Sequence, residues 1–189
     1  MSVLPIIQLY QPYLFNQKSC LRIECEDVTD SEFSEEWFHK LIEDMFETLY
    51  AGNSGIGLSA NQLGILKKIS VIDLKRDAKK PLVFVNPQVI PLSDEIVVSD
   101  EVCLSFPNIS AKVERYKKIK VLYQDIHGIH KEVIAEGFKS NVFQHEISHL
   151  YGKPHVDMVK SLDDIIPYIG TPKRKAEIVM AHMQDETNS

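Results

Sequence analysis

The sequence predicts an α+β fold: antiparallel β-sheets packed around a central helix, with an amphipathic helix near the N-terminus and another at the C-terminus. Three observations predict it. Apolar residues recur at helical spacing after Asp30, Val- and Ile-rich runs fill the middle of the chain, and helical spacing returns after Gly137.

The first helix opens at Asp30 or Ser31. Trp37, Leu41, Ile42, Met45, Phe46 and Leu49 fall at spacings that make one apolar stripe. Glu32, Glu35 and Glu36 occupy its first turns, where the helix dipole favours negative charge. The helix ends near Ala51-Gly52, and a loop carrying Gly55, Ile56 and Gly57 follows. Strand-like runs come next at Ile69–Leu74, Leu82–Ile90 and Glu95–Ser99, broken by Pro81, Pro87 and Pro91. Ser110–Tyr116 and Ile119–Asp125 alternate apolar with polar residues, and a hairpin at His127-Gly128 returns the chain through Lys131–Glu136. This middle is antiparallel sheet. After Gly137, the spacing of Phe138, Val142, His145 and His149 is helical, and Gly152-Lys153-Pro154 is a Gly-then-Pro stop. The amphipathic segment Lys173–Met183, opening after Pro172, predicts the C-terminal helix.

With 189 residues, 44% of them hydrophobic and 25% charged, the chain suits one globular domain spanning residues 1–189. A net charge of −6 argues against a general nucleic-acid or anionic-membrane binder, either of which wants a basic surface. Cys20, Cys25 and Cys103 form no even disulfide framework, which favours a reducing compartment. No apolar run approaches the roughly 20 residues needed to span a bilayer, and no basic-then-apolar leader opens the chain. The expectation is a cytoplasmic protein that starts at residue 1.

Gln144-His145-Glu146-Ile147-Ser148-His149 contains H-E-x-x-H within a predicted helix, so both imidazoles lie on one face, one turn apart. Two nitrogen ligands aim at one point, and Glu146 stands beside the first as a proton carrier. A third ligand decides the class of enzyme, and the residues offer two. His155 completes H-E-x-x-H-x-x-G-x-x-H, the metzincin protease pattern. Against it, Pro154 precedes His155, and Met158 is too close to supply the turn expected beneath such a site, so His155 reads as a partly exposed loop histidine. Cys103, in Glu101-Val102-Cys103-Leu104-Ser105, is the other candidate; by itself it reads as a small buried hydrophobe.

Three blocks in order, Gly55-Ile56-Gly57-Leu58-Ser59-Ala60-Asn61-Gln62, Glu101-Val102-Cys103-Leu104-Ser105 and Gln144-His145-Glu146-Ile147-Ser148-His149-Leu150, resemble the signature motifs of the peptide deformylase family. The resemblance covers most of the chain. It implies that Cys103, His145 and His149 hold one divalent metal, Fe(II) natively, with Zn, Ni or Co as substitutes. The implied reaction removes the N-formyl group from the formylmethionine of new polypeptides and releases formate. Glu146 then protonates the departing amine, and the oxyanion donors fall on the Gln62 side chain and the Leu104 backbone N–H. Gly55, Ile56 and Gly57 are similar to the loop that pairs with the substrate backbone as an added strand. The implied partners are N-formylmethionyl nascent peptides, with the ribosome close by. The implied setting is a monomer in the cytoplasm of a bacterium, or of a bacterial cell infected by a virus, rather than an organelle.

Helical spacing adds Phe138 and Val142 on the His145 face, an apolar surface where a methionine side chain fits. Three positions depart from the family pattern. Val102 replaces a glycine next to the Cys ligand, where a branched side chain narrows the cleft or changes which residues are accepted after methionine. Ser148 replaces an aspartate between the two histidines, and Ser59 replaces an alanine, a small change. Arg115 can pair with Glu101 and brace the Cys103 segment, but the preferred reading is an ordinary surface ion pair. The rival readings are a metzincin-like protease using His155 and a non-catalytic methionyl-peptide-binding homologue.

Overall fold

A computed structural model describes residues 2–10, 13–52, 55–77, 79 and 81–167. The helix expected over Lys173–Met183 lies outside the described residues.

The first helix, α1 (Glu36–Ala51), starts later than its sequence pattern suggests. A short 3-10 turn at Glu32–Ser34 comes first, and Glu35 is extended (φ −83°, ψ 144°), so the two do not merge. The expected stripe is buried at Leu41, Ile42, Met45 and Leu49, but at its start Phe38 is fully buried and Trp37 is 36% exposed. Trp37 keeps its ring at the surface, where its Nε1 donates to Glu35 Oε2 at 2.9 Å. Leu58, Ile69, Val71 and Val85 from the neighbouring strands complete this core.

Five strands, β1 (Gly57–Ser59), β2 (Ile69–Ile72), β3 (Leu82–Pro91), β6 (Lys118–Gln124) and β7 (His130–Glu136), form one antiparallel sheet in the order β1-β2-β3-β6-β7. The segment expected as a loop at Gly57 is therefore an edge strand, paired Gly57↔Ile72 and Ser59↔Ser70. Pro87 does not break β3. Asn86 takes a left-handed φ of 51° and the register shifts between Val85 and Gln88, a bulge that tolerates a residue with no N–H to donate. The second sheet is β4 (Ile96–Cys103), β5 (Phe106–Tyr116) and β8 (Ile165–Pro167), ordered β4-β5-β8. Here β4 runs four residues past the expected Ser99 and delivers Cys103 at its end, where the register slips so that Cys103 faces Phe106.

The central helix, α2 (Phe138–Leu150), packs Val142, Phe143 and Ile147 against Ile72, Phe84, Ile119, Val121 and Ala135 of the five-stranded sheet. Ser140 to Ile147 are all buried, polar residues included, so this helix lies inside the molecule rather than on it. Gly152 ends it with φ 67° against the Arg22 backbone, so tightly that an added Cβ would meet Arg22 at 2.8 Å. No helix among the described residues is long and apolar enough to cross a membrane.

Candidate metal centre and active site

Cys103, His145 and His149 come together from the end of β4 and one face of α2. Their ligand atoms all lie within 4.8 Å of one another, and all three residues are buried. Cys103 Sγ is 3.3 Å from His149 Nε2. A tetrahedral ion with bonds of about 2.0–2.1 Å to nitrogen and 2.3 Å to sulfur separates its ligand atoms by roughly 3.3–3.6 Å, so this cluster fits a metal. One thiolate and two imidazoles suit iron, zinc, nickel or cobalt better than magnesium or calcium, and three protein ligands leave a position open for water or substrate.

The surrounding residues fix each ligand. Strand alternation puts Glu101 and Cys103 on the same face of β4, toward α2. Glu101 Oε2 lies 2.8 Å from His145 Nδ1, which leaves Nε2 for the metal. The same carboxylate accepts two bonds from Arg115, 2.7 Å from Nε and 2.8 Å from Nη2, and Arg115 Nη1 reaches Met158 Sδ at 3.4 Å. Arg115 is 3% exposed and Glu101 6%, so the expected surface pair is a buried one, bound to a metal ligand. Burial alone would raise the Glu101 pKa, but the guanidinium beside it outweighs burial and holds the carboxyl below the usual range. Among the described residues, no acid hydrogen-bonds His149 Nδ1. Burial and the neighbouring His145 push its pKa well below the ordinary histidine value and keep it neutral, the form that ligates a metal. Asn61 Nδ2 donates to its carbonyl at 2.6 Å, which pins the last turn of α2.

Glu146 points toward β1. Ser59 Oγ stands 2.7 Å from Glu146 Oε2, and an added Cβ on Gly57 would fall 2.5 Å from Oε1. Burial raises the Glu146 pKa, opposed by the charge of His145 and the Ser59 hydrogen bond. Gln62 is 2% exposed; its Oε1 accepts from the Ser59 backbone N–H at 2.8 Å, and its Nε2 reaches Cys103 Sγ at 3.5 Å and Ser105 Oγ at 3.1 Å. Its amide is thus aimed into the ligand cluster. Leu104 follows Cys103 in the β4–β5 turn, and its side chain would meet a Cβ on Gly55 at 2.9 Å, which puts the two loops in contact. Phe138, Val142 and Ile56 belong to one apolar cluster. Val102 is half-buried, and alternation turns its side chain to the face opposite Cys103.

His155 is not the exposed loop residue its sequence suggested. It is fully buried, with its ring 5.4 Å from that of His145 and 5.3 Å from that of Phe106. Among the described residues, the cluster of mutually close ligand atoms nevertheless contains Cys103 and not His155. The i, i+2 spacing of Glu101 and Cys103 on a strand was the available sign of the Glu101 role, and it needed a strand longer than the sequence pattern gave. Nothing in the sequence signalled the contact between Ser59 and Glu146.

A family model described as "Polypeptide deformylase" matches residues 7–164. The peptide deformylase of Xylella fastidiosa (strain M12) is 36% identical over 162 residues, covering 86% of this chain and 90% of that protein. The crystal structure of peptide deformylase from Thermotoga maritima matches with a TM-score of 0.73 and 35% identity, covering 85% of this chain and all of that one. A Met-Ala-Ser-bound class I type b peptide deformylase from Acinetobacter baumannii matches with a TM-score of 0.72 and 29% identity, over 84% and 100% of the two chains.

Proposed function

The chain belongs to the polypeptide deformylase family, and on that premise we propose that it hydrolyses the N-formyl group of N-formylmethionyl nascent peptides, releasing formate and a free amine. The observation that carries this reading is the buried Cys103, His145 and His149 cluster with the Glu146 carboxylate and the Gln62 amide beside it.

Cys103, His145 and His149 would hold the metal, which would supply Lewis acidity and lower the pKa of water for attack on the formyl carbon. We propose Fe(II), with zinc, nickel or cobalt as functional substitutes. Glu146 takes the proton released by the attacking water and delivers it to the amine nitrogen as the C–N bond breaks. Its burial next to the ligands, which raises its pKa, suits a group that takes up a proton and gives it back. The Gln62 Nε2 and Leu104 N–H donate to the oxygen that gains negative charge. The substrate backbone adds as a strand along Gly55 and Ile56 and into the edge strand β1 at Gly57, with Val102 at the border of the cleft. Support comes from the sheet order, because β1 is an edge strand. The methionine side chain lies against Phe138, Val142 and Ile56.

All proposed groups come from one chain, consistent with one catalytic domain that acts as a monomer. Formylmethionine is found on new polypeptides, so the proposed setting is a bacterial or phage-infected cytoplasm, near the ribosome exit. A metzincin-like reading loses its support once His155 stands outside the ligand cluster. A purely binding role leaves the Glu146 and Gln62 placements without a purpose.

The test is anaerobic purification with metal analysis, followed by formate release from a formyl-Met-Ala-Ser peptide. About one metal per chain and sustained turnover are expected. Iron-loaded protein that releases no formate would overturn the proposal.

A further inference from the structure

We propose that Ser59 is a positioning residue for this reaction: its hydroxyl, backed by that of Ser70, holds the Glu146 carboxylate in one orientation beside the metal ligands. The inference rests on the deformylase reading and adds a residue to it.

Ser59 ends β1 and faces Ser70 of β2 in register, and both are fully buried. Ser59 Oγ lies 2.9 Å from Ser70 Oγ, 2.7 Å from Glu146 Oε2 and 2.9 Å from the Glu146 carbonyl oxygen. A hydroxyl has one proton to give. The shortest contact is to the carboxyl oxygen Oε2, so the proton goes there. Ser70 then donates to Ser59 Oγ, because its own approach to the Glu146 carbonyl is 3.5 Å. The result is a short chain, Ser70 to Ser59 to Glu146, that leaves neither hydroxyl unsatisfied in a buried place.

The other side of the carboxylate is closed by backbone. Gly57 and Ser59 sit two apart on β1 and share a face. An added Cβ on Gly57 would meet Glu146 Oε1 at 2.5 Å and Cδ at 2.7 Å, so the main chain of β1 already lies against the carboxyl group. Oε2 is held by a hydrogen bond and Oε1 by contact. A glutamate with three rotatable bonds is thereby confined, and an acid–base group displaced by about 1 Å can lose roughly 100-fold in rate. The family's first motif commonly has alanine at this position, so Ser59→Ala is expected to fold.

The experiment compares metal-loaded wild type, Ser59→Ala, Glu146→Asp and the double variant for formate release from formyl-Met-Ala-Ser, with metal content and crystal structures. For Ser59→Ala we expect kcat to fall about 10- to 100-fold, the scale of one hydrogen bond to a charged group, with KM and metal content unchanged. In the Glu146→Asp background, whose shorter side chain withdraws the carboxylate from Ser59, the same change should have no further effect. The Ser59→Ala crystal structure should show Glu146 in more than one rotamer. A kcat within twofold of wild type, an equal loss in both backgrounds, or a loss that tracks metal content would each overturn the proposal. If Ser59→Ala does not fold, Ser70→Ala is read instead: a kcat lowered about 2- to 3-fold supports the chain of hydroxyls, and an unchanged kcat overturns it. Wild type that releases no formate rejects the deformylase reading and this one with it, whereas an active wild type matched by Ser59→Ala rejects this one alone.

Discussion

Glu101 and His145 meet at 2.8 Å, Oε2 to Nδ1, with the carboxylate locked from behind by two Arg115 hydrogen bonds. The chain Arg115–Glu101–His145 fixes the tilt of the imidazole and points Nε2 at the ligand cluster. Removing one partner of a buried ion pair leaves the other charge uncompensated, at about 3–5 kcal/mol. Arg115→Ala should therefore lose about that much stability in urea unfolding of the metal-free protein. Losing the acid that orients a ligand typically weakens metal binding by about 10- to 100-fold, so Glu101→Gln should release metal to a competing chelator far earlier than wild type. A chelator titration that superimposes on wild type would show that His145 is oriented by something else.

Gly57 sits against Glu146 and Gly52 does not, a contrast that isolates the proposed acid–base residue. A Cβ at 57 would lie 2.5 Å from Glu146 Oε1, whereas one at 52 would find only Leu49 O at 3.8 Å. Gly57→Ala should push the carboxylate aside and lower kcat by about 100-fold, with Gly52→Ala within about twofold of wild type. Measurement of both kcat values with metal content held constant decides it. Near-normal turnover in Gly57→Ala would mean that Glu146 is free to take another position.

His155 and Cys103 separate the rival ligand sets. Cys103→Ala should lose bound metal and all turnover. His155→Ala deletes a fully buried ring between His145 and Phe106, so it should cost about 2–4 kcal/mol of stability through the cavity, yet keep about one metal per chain. Metal analysis after gel filtration reads the difference. Retention by Cys103→Ala and loss by His155→Ala would reverse the assignment.

What the sequence carried, and what it did not, follows from the range of each signal. Helical spacing around His145 and His149, and alternation through β5 to β7, are local and came out within a few residues. The first apolar stripe came out at Leu41, Ile42, Met45 and Leu49 but not at its start, where a 3-10 turn precedes the helix and Trp37 lies outside with Phe38 inside. β1 is three residues long and contains a glycine, so only its pairing with β2 defines it. Burial of charge was the least legible. Arg115 and Glu101 are fourteen positions apart on paired strands, and a pattern that marks such pairs as surface ones cannot see the helix covering them. Likewise, Ser59 read as a minor change because its partner is 87 residues away.

Asp44 ties the N-terminal segment to α1 and should make that attachment sensitive to acid. It accepts from Lys40 Nζ at 2.7 Å and from the Ser2 N–H at 2.6 Å, and Thr48 Oγ1, one turn on, accepts from the Leu4 N–H at 2.8 Å. The Lys40 hydrogen bond, against the opposing effect of burial and with help from Ser2, lowers the Asp44 pKa below the ordinary aspartate value. Unfolding returns the group to about 3.9. A carboxyl that is more acidic when folded adds stability above its unfolded pKa, and that stability drains away as pH falls below about 3.9 and through the lower folded value. Wild type should thus lose amide protection at Ser2 and Leu4 on acidification, after correction for intrinsic exchange rates. Asp44→Asn cannot titrate, so its Ser2 and Leu4 protection should be weaker at pH 6 and flatter across the same window. Hydrogen exchange from pH 6 to about pH 2.5 on both proteins makes the comparison, and two parallel profiles would show that a different carboxylate governs the acid response of this segment.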